Sequence, residues 1–229
     1  MKQLKLKYII GIAVAALLPL SLFFIMRSLS DGHIKIPGYY IADTVLQKEI
    51  EGIMQPDTVF HQVKDLVLTN QLNKEVSLNQ DLRGKILVVN FIFTSCPSVC
   101  PALSSSMSMV HKAFAKKNPD LVQFISITVD PARDNPDVLR AYADRFNADH
   151  DRWWFLTGSQ AKIFDYARNE LGLSIQASDA NDGFFDHSEN FVLIDTSRYI
   201  RGYYNGNDPV ATKKLADDII IVSMAKNKD

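Results

Sequence analysis

An α/β fold, a central sheet flanked by helices behind one N-terminal membrane helix, is what this 229-residue sequence predicts. Three observations carry the prediction. Residues 86–93 (ILVVNFIF) and 122–129 (VQFISITV) are nearly continuous apolar runs, as expected of strands buried on both faces of a parallel sheet. Each leads into a segment with apolar residues at helical spacing. Residues 8–26 (YIIGIAVAALLPLSLFFIM) carry no charge, and as a helix they would be about 28 Å long, close to the hydrocarbon thickness of a bilayer.

Lys2, Lys5 and Lys7 precede that apolar run and no acid does. The positive-inside rule keeps such a terminus in the cytoplasm and sends the remainder outward. A cleaved signal peptide would have an apolar core of about 7–15 residues and then a small-residue cleavage site. Here the core is longer, no A-x-A pattern follows, and no cysteine stands near its end to take a lipid. The expected organisation is therefore a tail at 1–7, a transmembrane anchor at 8–26, a linker at 27–63 and one domain at 64–229. The stretch from Arg27 to about Tyr40 reads as a spacer. Residues 44–63 read as a β-hairpin about Glu51-Gly52. The balance of 25 Lys+Arg against 26 Asp+Glu excludes a general nucleic-acid binder, which would be basic.

Within the domain, residues 66–70 form a short strand, and Val76 and Leu78 mark a second. NQDLRGK is a turn ending at Gly84. The buried run 86–93 passes directly into TSCPSVCP. A helix follows from about Cys100 to Lys117, with Leu103, Met107, Val110 and Phe114 on one side. The second buried run ends in DPARDNP, where Asn135 suits an N-cap and Pro136 the first helical position. That helix reaches about Phe146. Residues 153–156 are a third strand, and Ser159 caps a helix reaching about Leu171. Residues 191–195 and 199–204 form a hairpin about Thr196-Ser197. Asp208 and Pro209 open a last amphipathic helix. A buried strand that delivers a cysteine pair to a helix start is the thioredoxin-like arrangement.

The chain has only two cysteines, Cys96 and Cys100, too few for a four-cysteine zinc module. The exposed N–H groups at a helix start lower thiol pKa. Pro97 and Pro101 stiffen the loop. Four positions are about one helical turn, which brings both sulfurs to one side. Two thiolates suit a soft, low-coordinate ion, and Cu(I) is the first candidate. An ordinary structural disulfide is the alternative, but such bonds have no preference for this place.

A third donor would be an imidazole. His33 lies in the spacer, His61 before the core sheet, and His150 in a charged stretch. His111 lies eleven residues past Cys100 on the same helix, about 16 Å along its axis. His187 sits in FFDHSENFVLID just before a core strand, in a loop that faces the cysteine loop in a thioredoxin-like fold. It is the best donor in the chain. Asp130 ends the second buried strand, where open α/β sheets place their sites. It either steers a cation and tunes the thiols, or builds a turn with Arg133 and Asp134. Met107 falls in an apolar stripe and reads as core.

Three segments, FTSCPSVCP (93–101), VDPARDNP (129–136) and DHSENFVLID (186–195), together resemble the Sco/SenC copper-binding proteins that assist cytochrome c oxidase assembly. The resemblance spans about residues 66–224 plus the anchor. It implies a thioredoxin-like (peroxiredoxin-like) fold on the periplasmic side of the inner membrane. It implies copper held by Cys96, Cys100 and His187, with Asp130 near that site, and delivery toward the binuclear copper site of the oxidase. The implied partner is the copper-bearing oxidase subunit or another copper protein. Two departures stand out: Ser98 where an acidic residue is common, and NFIFTS in place of a run containing glycine and tyrosine. Neither touches a proposed ligand.

Two functions follow as expectations. One is a membrane-tethered metallochaperone carrying Cu(I), the imidazole accommodating Cu(II) if that state occurs. The other is a thiol–disulfide oxidoreductase in which Cys96 and Cys100 are the redox pair that keeps partner cysteines reduced for metal loading. A peroxidase would need a peroxidatic cysteine with an arginine partner, and the sequence offers no specific support for one.

Overall fold

A computed structural model describes residues 8, 11, 15–26, 36–50, 53–115, 120–177, 185–186 and 188–225. The chain divides into two units, Met1–Lys35 and Ile36–Asp229. In the first, residues 15–26 form a continuous helix that runs through Pro19, and Tyr8 and Gly11 are also helical. Among the described residues no helix is long and apolar enough to cross a membrane. The basic tail at 1–7 and the spacer at 27–35 lie outside the described residues.

The second unit opens with a two-stranded antiparallel ribbon, β1 (Ala42–Ile50) and β2 (Ile53–Phe60), paired from Ala42↔Phe60 to Ile50↔Ile53 with an irregularity between Ala42 and Thr44. This is the expected hairpin, begun two residues earlier. Residues just before it are not a loose spacer. Tyr39 packs on Phe60 and Tyr199, with ring centroids 4.7 and 5.0 Å apart. The Arg201 guanidinium lies 4.5 Å above the Tyr39 ring, and its Nε donates to the Pro37 carbonyl at 2.9 Å. The aromatic pair Tyr39-Tyr40 supplies a contact that a reading of Gly and Ser content overlooks. At the ribbon's base, both ring nitrogens of His61 face carboxylates, Asp43 at 2.9 Å and Glu170 at 3.0 Å.

The central sheet has seven strands in the order β11-β10-β5-β6-β7-β3-β4. They are β3 (Val67–Asn70), β4 (Glu75–Ser77), β5 (Ile86–Ile92), β6 (Val122–Thr128), β7 (Trp153–Thr157), β10 (Asn190–Ile194) and β11 (Ile200–Asn205). A separate pair, β8 (Gln176–Ala177) and β9 (Phe185–Asp186), precedes β10. β5, β6 and β7 run parallel, and β10 joins β5 antiparallel. Every residue of β5 and β6 is buried, as their mainly apolar composition predicts. Asn90 and Ser126 inside them bond each other at 2.7 Å, and the Trp153 indole N–H donates to Ser126 at 3.0 Å.

The described helices of this unit are α1 (Val99–Ala115), α2 (Pro136–Arg145), α3 (Gln160–Asp165) and α4 (Pro209–Ala225). α1 touches β6 and α4, α2 touches β7, and α4 touches β11. Asn135 caps α2 as expected, its side chain accepting the Val138 N–H at 3.0 Å. Ser159 stands at the start of α3, yet its side chain makes no capping bond. The single helix expected from Ser159 to Leu171 changes at Tyr166 into a π-helical turn, Tyr166–Glu170. That turn presents Glu170 to His61, to the Lys64 N–H at 2.9 Å and to the Lys64 ammonium at 3.0 Å.

Opposite the cysteine end of β5, Arg198 closes the β10–β11 turn with φ +69. Its buried guanidinium donates to the carbonyls of Leu78, Leu82 and Lys85 at 2.9, 2.7 and 3.0 Å and to the Asn79 side chain at 2.6 Å. Those acceptors would otherwise be stranded away from water.

Candidate metal centre

β5 ends at Ile92 and hands the chain to a tight turn. The Cys96 N–H donates to the Phe93 carbonyl at 3.2 Å. α1 begins at Val99, so Cys100 lies in its first turn. There the Cys100 N–H, an amide with no partner inside the helix, donates to the Cys96 Sγ at 3.3 Å. The first turn of the helix thus places a backbone donor on the Cys96 sulfur. Among the described residues no disulfide joins the two, and both are buried.

The helix end does not treat the two sulfurs alike. Burial pushes the Cys100 thiol far above its ordinary range. The hydrogen bond with the Phe93 backbone works the other way, while Cys96 and Asp134 add to the rise. The expectation that the helix start lowers the pKa of both thiols therefore fails at Cys100, where desolvation outweighs the helix field. A metal binding there must displace the proton.

Asp130 follows β6 and is buried. Burial raises its carboxyl above the ordinary value, Asp134 adds to the rise, and Arg133 opposes it. Arg133 Nε stands 3.1 Å from Asp130 Oδ2, but Oδ2 receives no well-aligned hydrogen bond, so the pair is electrostatic rather than a formed bond. Asp130 also accepts the N–H groups of Arg133 and Asp134 on its carbonyl, at 3.1 and 2.9 Å, so the turn role is realised. Its neighbour Asp134, weighed from sequence only as part of that turn, is wholly buried and bonds Thr94 behind the cysteines. The signal for it was the DxxxD spacing at the end of a buried strand.

His187, the expected third donor, lies outside the described residues. Its flanks are described. Ser188 Oγ accepts the Asn190 N–H at 3.2 Å, and the Glu189 carbonyl accepts the Gly206 N–H at 2.9 Å. At Gly206 an added Cβ would fall 2.5 Å from Leu103 Cδ2 and 2.6 Å from Phe191 Cζ. Leu103 is three residues past Cys100, and Phe191 four past His187, so the cysteine helix and the strand after His187 meet over this glycine. Among the other histidines, His61 is held by carboxylates. His150 bonds Asp144 at 2.9 Å and Gln71 at 3.1 Å. His111 is buried against Phe124 and Trp153. Met107 is core, and Met109 is exposed. Among the described residues no group of three or more His, Cys, Asp or Glu side chains is placed to hold an ion.

Comparisons with known proteins agree with this frame. The SCO1/SenC family profile matches residues 55–221. The SCO1 protein homolog of Bacillus subtilis is 30% identical over 171 residues, covering 74% of this chain and 87% of that protein. Among solved structures, BsSco superposes with TM-score 0.63 at 28% identity, covering 72% of this chain and 94% of that one. It is described as a Sco family cytochrome c oxidase assembly protein with a disulfide switch. Copper-bound ScoI of Bradyrhizobium japonicum superposes with TM-score 0.58 at 27% identity, covering 69% and 98%. With a thioredoxin-like α/β fold and a family match over most of its length, the chain belongs to the SCO1/SenC family.

Proposed function

We propose that this protein is a membrane-anchored copper chaperone. Cys96 and Cys100 supply two thiolates, His187 supplies an imidazole, and the cargo is passed to the binuclear copper site of cytochrome c oxidase. One observation carries the reading: a cysteine pair stands on a helix start at the end of the central strand, with the Cys100 N–H on the Cys96 sulfur. Support for His187 comes from the Leu103–Gly206–Phe191 seam. Three residues from Asn190 to His187 span at most about 10 Å. Support for copper comes from the copper-bound relative and from the softness of the donors.

The chain's own residues do three things in this scheme. The rigid turn holds the sulfurs close together, so little ordering entropy is lost on binding. The Cys100 N–H at the helix start orients the Cys96 sulfur. Burial makes Cys100 hold its proton until a binding partner displaces it, which couples metal capture to deprotonation. Transfer follows by exchange with thiolates of the client. Residues 8–26 act as the anchor, and the three N-terminal lysines keep the tail in the cytoplasm, leaving the domain periplasmic.

The test is anaerobic Cu(I) titration of the reduced full-length chain in detergent against a competing chelator. One ion per chain is expected. Cys96→Ser and Cys100→Ser each abolish tight binding. His187→Ala weakens it. A Cys100→Ser chain with wild-type stoichiometry and affinity would refute the site, and an unchanged His187→Ala chain would remove that residue from it.

The same dithiol favours a second reading, thiol–disulfide exchange with a client. Cys96, at the rim, attacks the client disulfide. Cys100 then resolves the mixed disulfide, so the client gains two electrons and two protons. The readings are compatible, because oxidised cysteines cannot take Cu(I). A strongly reducing couple without stable copper binding would favour exchange alone.

A further inference from the structure

Asp134 is wholly buried behind the cysteine turn. Its Oδ2 accepts the Thr94 N–H at 3.0 Å and the Thr128 hydroxyl at 2.5 Å, and its Oδ1 accepts the Thr94 hydroxyl at 2.5 Å. Among the described residues no cation pairs with this carboxylate, since Arg133 is directed to Asp130. A buried anion served only by neutral donors persists only where each donor is held in place. Thr94 lies two residues before Cys96, and Thr128 ends β6. The Asp130 N–H also donates to the Thr128 hydroxyl oxygen, at 3.0 Å. One carboxylate therefore fastens the root of the cysteine turn to the end of the neighbouring strand.

We propose that Asp134 is a positioning residue for the cysteine pair: gripping Thr94 against Thr128, it holds the turn in which Cys96 faces the Cys100 N–H, and so favours dithiol over disulfide. This deepens the function proposed above and rests on Cys96 and Cys100 being the working pair. Closing a disulfide needs sulfurs about 2.0 Å apart. Among the described residues no disulfide joins the two, and a grip that holds the root of the turn resists any movement of it toward closure.

The experiment equilibrates the full-length chain with mixtures of reduced and oxidised dithiothreitol. In each conversion the Cys96 and Cys100 thiols give two electrons and two protons to the oxidised reagent. The S–S bond forms in the protein and opens in the reagent. Alkylation and mass measurement read the disulfide fraction. Asp134→Ala and Thr94→Val are expected to raise the disulfide-to-dithiol ratio about tenfold, equivalent to a potential about 30 mV more negative. Asp134→Asn is expected to stay within about twofold of wild type, because its amide accepts the Thr94 N–H and donates to the Thr94 hydroxyl. Wild-type ratios in both Asp134→Ala and Thr94→Val would overturn the proposal. So would Asp134→Asn shifting as far as Asp134→Ala, which would assign the effect to charge rather than posture. If Asp134→Ala fails to fold, Thr94→Val decides. A wild-type chain that takes up no copper would end the chaperone reading and leave this measurement intact.

Discussion

Replacing Gly206 by alanine places one methyl group where three packed elements meet. The new Cβ would stand 2.5 Å from Leu103 Cδ2, and 2.6 and 2.9 Å from Phe191 Cζ and Cε1. Ordinary carbon contacts are about 3.5–4.0 Å, so the neighbours must retreat by about 1 Å. Both are side-chain ends, but both residues are fully buried, and a close-packed core offers no empty rotamer to take them. Gly206 has no positive φ, so the effect is steric alone. Overpacking of this kind costs about 1–3 kcal/mol. At about 3 °C per kcal/mol for a chain of this size, Tm falls by about 3–9 °C. The retreat also parts α1 from the start of β10, so copper binds more weakly. Thermal unfolding by circular dichroism and Cu(I) titration read the two effects. Gly38→Ala is the control, since nothing lies within 4 Å of its added Cβ. A Gly206→Ala chain that melts and binds copper like wild type would refute both the packing argument and its link to the site.

Two further outcomes test other parts of the molecule. His111→Phe is expected to raise Tm by about 3 °C, since neither buried ring nitrogen has a hydrogen-bond partner and removing such a group gains about 1 kcal/mol. Burial holds this imidazole below its ordinary 6.5, with Arg152 and Lys112 adding and Asp149 opposing. The unfolded chain then binds the proton first, so this contribution to stability is intact above about pH 6.5 and is lost as pH falls below it. The advantage of His111→Phe over wild type should widen in acid, and a gap constant from pH 8 to pH 5 would contradict this. Arg198→Met strands the carbonyls of Leu78, Leu82 and Lys85 and should cost about 3 kcal/mol or more. Because it acts at the far end of β5, copper stoichiometry of the folded chain should not change, as denaturant melts and metal analysis would show.

What could be read from the sequence was whatever depends on local pattern. The runs 86–93 and 122–129 read as central strands, because short, nearly continuous apolar runs rich in β-branched residues and bounded by turn signals suit a strand buried on both faces. Asn135-Pro136 had to start a helix. The cysteine pair could be placed at a helix start for the same reason. Features set by contacts between distant segments were not legible. The π turn at Tyr166 follows from which carbonyls meet which amides, and composition does not encode that choice. The carboxylate grip of Asp134 could not be separated from the turn role of Asp130, because both are buried and which of them bonds Thr94 depends on how DPARDNP folds back on it. His111 could be excluded as a donor by distance along its helix, but not recognised as an unbonded imidazole among aromatic rings.

The two sulfurs differ in one further respect: Cys100 is completely shielded, while Cys96 lies at the limit of burial, 9% exposed. An approaching molecule meets one sulfur and not the pair. In the role proposed above, a bond to the outer atom would be made or broken before the inner one changes hands, and the inner atom would be the last grip released.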